Sequence, residues 1–103
     1  MTMNVLNEYD DFEGPFASSS EIKNQSGAYI VLGRNRDAER WTVIDTGESA
    51  TLSERLNNHD RKPCWNGQPF NNLAFAVKYA GEQERMQIEA AVRKDYNPAC
   101  GDR

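Results

Sequence analysis

The sequence predicts an α/β (α+β) domain: a small three-stranded, mainly antiparallel sheet flanked by helices, in the order β-β-α-β-α. Three observations predict it. Two apolar, β-branched runs are joined by a polar turn, two segments carry helical periodicity, and a further strand-like run lies between those helices. At 103 residues the chain is long enough for one domain with a single modest core and too short for two.

Residues 1 to about 25 read as an acidic N-terminal arm, because "EYDDFEGPFASSSEIKNQSG" combines Gly-Pro, a serine run and few aliphatic side chains. The arm is either a solvated leader or a flap over a basic surface, and residues 26–103 are the folded domain. "AYIVLG" (28–33) and "RWTVID" (40–45) are strands, joined by the turn "RNRDAE". Thr51, with Glu54 three residues later, has the form of a capping box and opens a helix over about 52–60. "RKPCWNGQPFNN" (61–72) holds two prolines and an Asn-Gly and reads as a loop, and "LAFAVKYA" (73–80) as the third strand. "EQERMQIEAAVRKDY" (82–96) is a helix with an acidic first turn and with Ile88, Ala91, Val92 and Tyr96 on one stripe; Asn97 and Pro98 stop it.

With 38% hydrophobic and 27% charged residues, the balance is that of a folded protein. No apolar run approaches the roughly 20 residues that span a bilayer, and the start lacks the features of a signal peptide, so the expected location is cytoplasmic with no membrane partner. Cys64 and Cys100 form no C-x-x-C pair and are expected to be two reduced thiols rather than a disulfide framework or a zinc ribbon. The net charge of -4 argues against a nucleic-acid partner when taken whole. Five acidic residues precede Lys23 with no basic residue among them, however, which leaves eleven acidic against twelve basic residues in the remainder. Arg34, Arg36, Arg40, Arg61, Lys62, Arg93 and Lys94 are then either a dispersed basic rim or solvated surface.

"LSERLNNH" (52–59) breaks the ordinary amphipathic pattern. On a helix, Leu52, Arg55, Leu56 and His59 share one stripe, so an arginine and the only histidine align with two leucines. That mixture suits a helix lying along the rim of a groove, with the leucines against the sheet and the polar pair turned into the groove.

"GAY" on the first strand, "DTGES" after the second, "LSERLNNH" on the first helix and "IEAAVRKDYNPACG" at the end resemble, in that order and spacing, the GIY-YIG nuclease domain, from Gly27 to Gly101. Gly27 and Tyr29 match the first motif, with Ala28 in place of its isoleucine, and Gly47, Glu48 and Ser49 match the second and its usual sequel. The aligned second tyrosine is replaced by Asp45, so that "YIG" has become "DTG". The asparagine that usually ends the last motif is missing where Cys100 and Gly101 stand, with Asn97 nearby.

The resemblance implies a metal-dependent DNA endonuclease. Phosphodiester hydrolysis needs an activated water, neutralisation of charge on the phosphate and stabilisation of the leaving oxygen. The implied catalytic set is Tyr29 as base or water-orienting group, Arg55 on the phosphate, His59 beside it, and Glu89 as the one carboxylate for Mg2+ or Mn2+. Gly47, Glu48, Ser49, Arg61 and Lys62 are the expected substrate-binding residues. Taken singly, Tyr29 reads as a core tyrosine, Glu89 as a solvated helix glutamate and His59 as structural. Asp45 has three readings: a residue capping the "TGES" turn, an added metal ligand, or an acid that repels phosphate. Trp65 is either a core anchor or an exposed base-stacking group. The alternative function is a catalytically degenerate module of this fold that binds nucleic acid or a protein partner.

Overall fold

A continuous apolar run, buried on both faces from Gly27 to Gly33, forms the central strand of the sheet. In the computed structural model, which describes residues 11–37 and 39–101, the strands are β1 (Glu13–Phe16), β2 (Gly27–Arg34), β3 (Thr42–Ser49) and β4 (Asn72–Tyr79). The sheet is wholly antiparallel in the order β1-β4-β2-β3, with four strands rather than the three expected. The additional strand falls within the predicted arm, where Glu13 and Phe16 pair with Val77 and Phe75 and Phe12 is buried in the core. The rest of the arm, residues 1–10, lies outside the described residues.

The helices are α1 (Leu52–Asn57), α2 (Lys62–Asn66) and α3 (Glu82–Tyr96), with a 3-10 turn at Ser19–Glu21. Helix α2 occupies what reads as loop, because Pro63 lies in its first turn, where a missing N–H costs nothing. Helix α1 stops at Asn57, so His59 follows the helix instead of continuing its stripe. The predicted capping box at Thr51 does not form. Glu54 N–H donates to Asn24 Oδ1 at 2.9 Å instead. A capping box does form at the 3-10 turn, where Ser18 N–H donates to Glu21 Oε2 and Ser18 Oγ accepts from Ser20 N–H, each at 3.2 Å.

Each face of the sheet carries its own apolar cluster. Ile30 and Leu32 of β2 join Phe12, Val43, Ala76 and Val92 on one face, which α3 covers with Ile88 and Tyr96 as partly buried flanks. Tyr29 and Val31 point the other way, with Ile44, Val77, Leu52, Leu56 and Trp65 under α1 and α2. A bulge in β3 decides where Asp45 goes. Leu32 pairs with Val43 but Val31 pairs with Asp45, so Ile44 is the extra residue and Asp45 turns to the Tyr29 face.

Cys64 and Cys100 form a disulfide with Cα atoms 6.0 Å apart, which corrects the expectation of reduced thiols. The segment after α3 folds back along the β3 edge, where Cys100 N–H donates to Ile44 O at 2.9 Å, and this brings Cys100 against α2. Among the described residues no helix is long and apolar enough to cross a membrane.

Candidate active site

Strand β3 is an edge strand, so its outward backbone groups must find partners beyond the sheet. A cavity of about 410 Å³ wraps this edge, lined by Tyr29, Thr46, Gly47, Glu48, Arg55, Arg61, Glu89 and Arg93. Tyr29, Arg55 and Glu89, predicted to converge from a strand and two helices, therefore do converge. Gly47 and Glu48 of β3 and Arg61 before α2 also line the cavity. Ser49 and Lys62 do not. Ser49 Oγ accepts from Thr51 N–H at 3.0 Å, and Lys62 Nζ donates to Asn57 O.

Gly47 is where glycine is required. It pairs with Tyr29 across the ladder, and a Cβ there would overlap the Tyr29 hydroxyl. Tyr29 is 1% exposed, and its hydroxyl is hydrogen-bonded to Nε2 of His59, which is itself buried. Arg61 N–H donates to His59 Nδ1 at 3.0 Å, and a backbone N–H can only donate, which assigns the ring proton to Nε2. His59 therefore donates to the Tyr29 oxygen, leaving the phenolic O–H directed away from the imidazole.

Burial is the main cause that pushes the Tyr29 pKa up, with the nearby Asp45 charge adding to it, so Tyr29 is a neutral phenol at neutral pH. Burial, then the charges of Arg55 and Arg61, lower the His59 pKa to about 4, so the imidazole is neutral. The sole histidine thus backs the tyrosine instead of entering the cavity.

Asp45 is fully buried in the middle of β3, and because Thr46–Ser49 continue that strand there is no "TGES" turn for it to cap, which corrects that reading. Oδ1 accepts from Thr46 N–H at 2.7 Å and from Arg93 Nη2 at 3.3 Å. Oδ2 accepts from Arg61 Nε at 2.7 Å and from Trp65 Nε1 at 2.8 Å. With both oxygens doubly engaged, Asp45 has no lone pair left for a metal, and two guanidinium groups offset its charge toward phosphate. Trp65 is 2% exposed, packed between His59 and Phe75, which makes it a core anchor and not a stacking platform.

Among the cavity arginines, Arg93 is the most engaged, with all three of its nitrogens donating. It donates to Glu89 Oε2 at 2.8 Å, to Asp45 and the Thr46 carbonyl, and to Cys100 O at 3.4 Å. Its place in the site was missed in the sequence, although the i, i+4 spacing of Glu89 and Arg93 signals a pair on one helix face. Arg55 pairs with Asp60 Oδ1 at 3.1 Å and keeps 39% of its side chain exposed. Arg61 is held through Nε alone. Burial opposes its charge, and the Asp45 hydrogen bond and charge outweigh this to raise its pKa above the usual value. Glu48 faces Arg85, whose Nε lies 2.6 Å from Oε1.

Glu48 and Glu89 are the carboxylates that line the cavity, each with one oxygen taken by an arginine, and the described residues contain no cluster of three His, Cys, Asp or Glu that would hold a cation outright. So few carboxylates fit a hard ion such as magnesium, which keeps most of its waters, and do not fit a protein-caged zinc.

No family model matches the chain, and no curated protein matches it. Solved structures do. The N-terminal GIY-YIG endonuclease domain of UvrC from Thermotoga maritima, as a tyrosine-to-phenylalanine mutant bound to its catalytic divalent cation, is 26% identical over 79% of this chain and 87% of that one, with a TM-score of 0.54. An asparagine-to-alanine mutant of the same domain gives 27% identity, the same coverage and a TM-score of 0.53. The magnesium-bound domain is 26% identical over 75% of this chain and 83% of that one, with a TM-score of 0.51. The antiparallel sheet, its flanking helices and these likenesses together show that this chain has a GIY-YIG-like fold.

Proposed function

We propose that this chain is a divalent-metal-dependent endonuclease domain that hydrolyses phosphodiester bonds in DNA. The observation that carries the reading is the convergence of Tyr29, Arg55 and Glu89, from three separate elements, on one cavity at the β3 edge. Arg55 takes a phosphate oxygen, with Arg61 beside it. The Tyr29 hydroxyl, which keeps its proton, orients the attacking water or a phosphate oxygen as a donor and does not serve as a base at neutral pH. His59 holds that hydroxyl in place. Glu89 would hold Mg2+ or Mn2+, with Arg93 fixing its carboxylate. When bound, such an ion supplies positive charge to the phosphate and makes hydroxide accessible at neutral pH. The Cys64–Cys100 disulfide supports an oxidising setting, in place of the cytoplasm the sequence suggested.

Cleavage of single-stranded, duplex and branched DNA with magnesium or manganese tests this. Arg55→Ala and Glu89→Ala are each expected to reduce the rate by roughly a hundredfold or more. No cleavage by the parent chain, or cleavage by the variants at the parent's rate, overturns the reading. Two replacements favour a second reading, a non-catalytic module of the same fold that binds nucleic acid or a protein partner: Asp45 stands in place of the second tyrosine, and Cys100, which is locked in a disulfide, stands where the terminal asparagine is expected.

A further inference from the structure

The replacement of a tyrosine by a buried acid at the floor of a phosphate site is unfavourable on charge alone, since a carboxylate repels phosphate. The hydrogen bonds of Asp45 turn it to another use. Arg61 gives Asp45 only its Nε, at 2.7 Å, and among the described residues nothing takes up its two terminal nitrogens. Its side chain is 26% exposed and lines the cavity beside Tyr29 and Arg55. A guanidinium anchored by Nε presents its other edge as a fixed two-pronged donor, which matches two oxygens of one phosphate. The His59 ring holds the start of the same residue through the Arg61 backbone N–H. Arg93 already donates from all three of its nitrogens inside the protein and has no free edge to offer, and Arg55, which gives Nη2 to Asp60, is the first phosphate arginine of the proposed site.

We propose that Asp45 is a positioning residue that makes Arg61 a second phosphate-binding arginine, so that this chain grips a DNA phosphodiester through an Asp45–Arg61 pair where its relatives have a tyrosine. The inference deepens the nuclease reading and rests on the same cavity taking a DNA phosphate, but it concerns binding and can be tested without cleavage.

The test measures the affinity of the full chain for a fluorescein-labelled DNA duplex in EDTA, over a series of salt concentrations. Arg61→Lys retains the charge but loses the fork and the Nε anchor, and is expected to weaken binding roughly tenfold. Asp45→Asn removes a negative charge and should tighten binding if charge were all that mattered; the expected result is a comparable weakening. The slope of log affinity against log salt should become shallower by about one in Asp45→Asn and in Arg61→Ala alike, because each loses the same phosphate contact. A merely structural role for Asp45 would lower the thermal midpoint and leave that slope unchanged. The double variant Asp45→Asn/Arg61→Ala should bind no more weakly than Arg61→Ala, since the two act as one unit.

Tighter binding by Asp45→Asn, or an unchanged slope in Arg61→Ala, overturns the proposal. If Asp45→Asn fails to fold by circular dichroism, Arg61→Lys decides alone, because it alters only a partly exposed side chain and keeps the charge. A parent chain that binds DNA with the expected slopes but does not cut it sinks the nuclease reading and leaves this one standing. A parent chain that does not bind DNA overturns both.

Discussion

The two faces of the sheet are held by different physics. Under α3, Phe12, Ile30, Leu32, Val43, Ala76 and Val92 make an apolar cluster held by burial and packing. On the other face the apolar cluster of Tyr29, Val31, Leu52, Leu56 and Trp65 surrounds a buried carboxylate, two arginines and a neutral imidazole, each bound to named atoms. The first face tolerates exchange of shape. The second holds an arrangement, and a buried acid with several donors is costly to break because the remaining charges are left without partners. Stability can reside on either face, then, but the buried polar cluster beside the cavity lies on one, with Glu89 and Arg93 reaching the cavity from α3 around the β3 edge.

The largest expected effect separates the faces by a cross-link. The disulfide closes a separation of 36 residues and ties α2 to the tail whose Cys100 carbonyl receives Arg93. Replacing both cysteines by serine should cost about 3 to 4 kcal/mol in urea denaturation, by loop-closure entropy. Arg93 should lose order while the α3 cluster keeps its hydrogen-exchange protection relative to the rest of the chain. Uniform loss of protection on both faces would show that the disulfide does not act locally.

A matched pair of truncations sharpens the contrast. Leu32→Ala, on the α3 face, and Asp45→Ala, on the other, should each destabilise by about 3 kcal/mol, the first through a cavity and the second through stranded arginines. Only Asp45→Ala should weaken DNA binding at a temperature where both variants are folded. If Leu32→Ala weakens it equally, the cavity responds to stability in general and the two faces are not independent.

How far the sequence disclosed these faces follows from the range of the contacts. The apolar runs of β2 and β4 and the Ile88–Val92–Tyr96 stripe of α3 are local patterns, and they were legible, whereas Tyr29, Gly47, Arg55 and Glu89, which line the cavity, stood out only through the ordered motif resemblance. The Asp45 cluster was not, because its partners lie 16, 20 and 48 residues away and a bulge, invisible in the pattern, turns Asp45 to their side. Strand β1 escaped for the opposite reason: it has only four residues, it contains Gly-Pro, and it is held by pairing with β4 and not by its own alternation. The cysteine expectation failed on the same long-range folding that brings Cys100 to α2.

Acid should expose the difference between the faces with no mutation at all. His59 titrates near 6.5 when unfolded and at about 4 when folded, so between those values the unfolded chain binds the extra proton. Stability contributed by the neutral imidazole is present above about pH 6.5 and is lost as pH falls toward 4, about 3 kcal/mol in all. Urea midpoints measured across that window should fall with pH in the parent chain and stay flatter in His59→Gln. The α3 face carries no buried histidine, so an identical slope in His59→Gln would place the titrating group elsewhere.

The smallest effect asks which bond to Asp45 matters for the cavity. Trp65→Phe keeps an aromatic ring between His59 and Phe75 but deletes the indole N–H that donates to Asp45 Oδ2. Arg61 still donates to that same oxygen, so the carboxylate is not left unsatisfied, and the expected loss is about 1 kcal/mol. DNA affinity should change by less than roughly twofold, because the terminal nitrogens of Arg61 stay where Asp45 holds them. A loss of affinity as large as that of Asp45→Asn, at full folding, would mean that the indole sets the position of the carboxylate and Arg61 merely follows it.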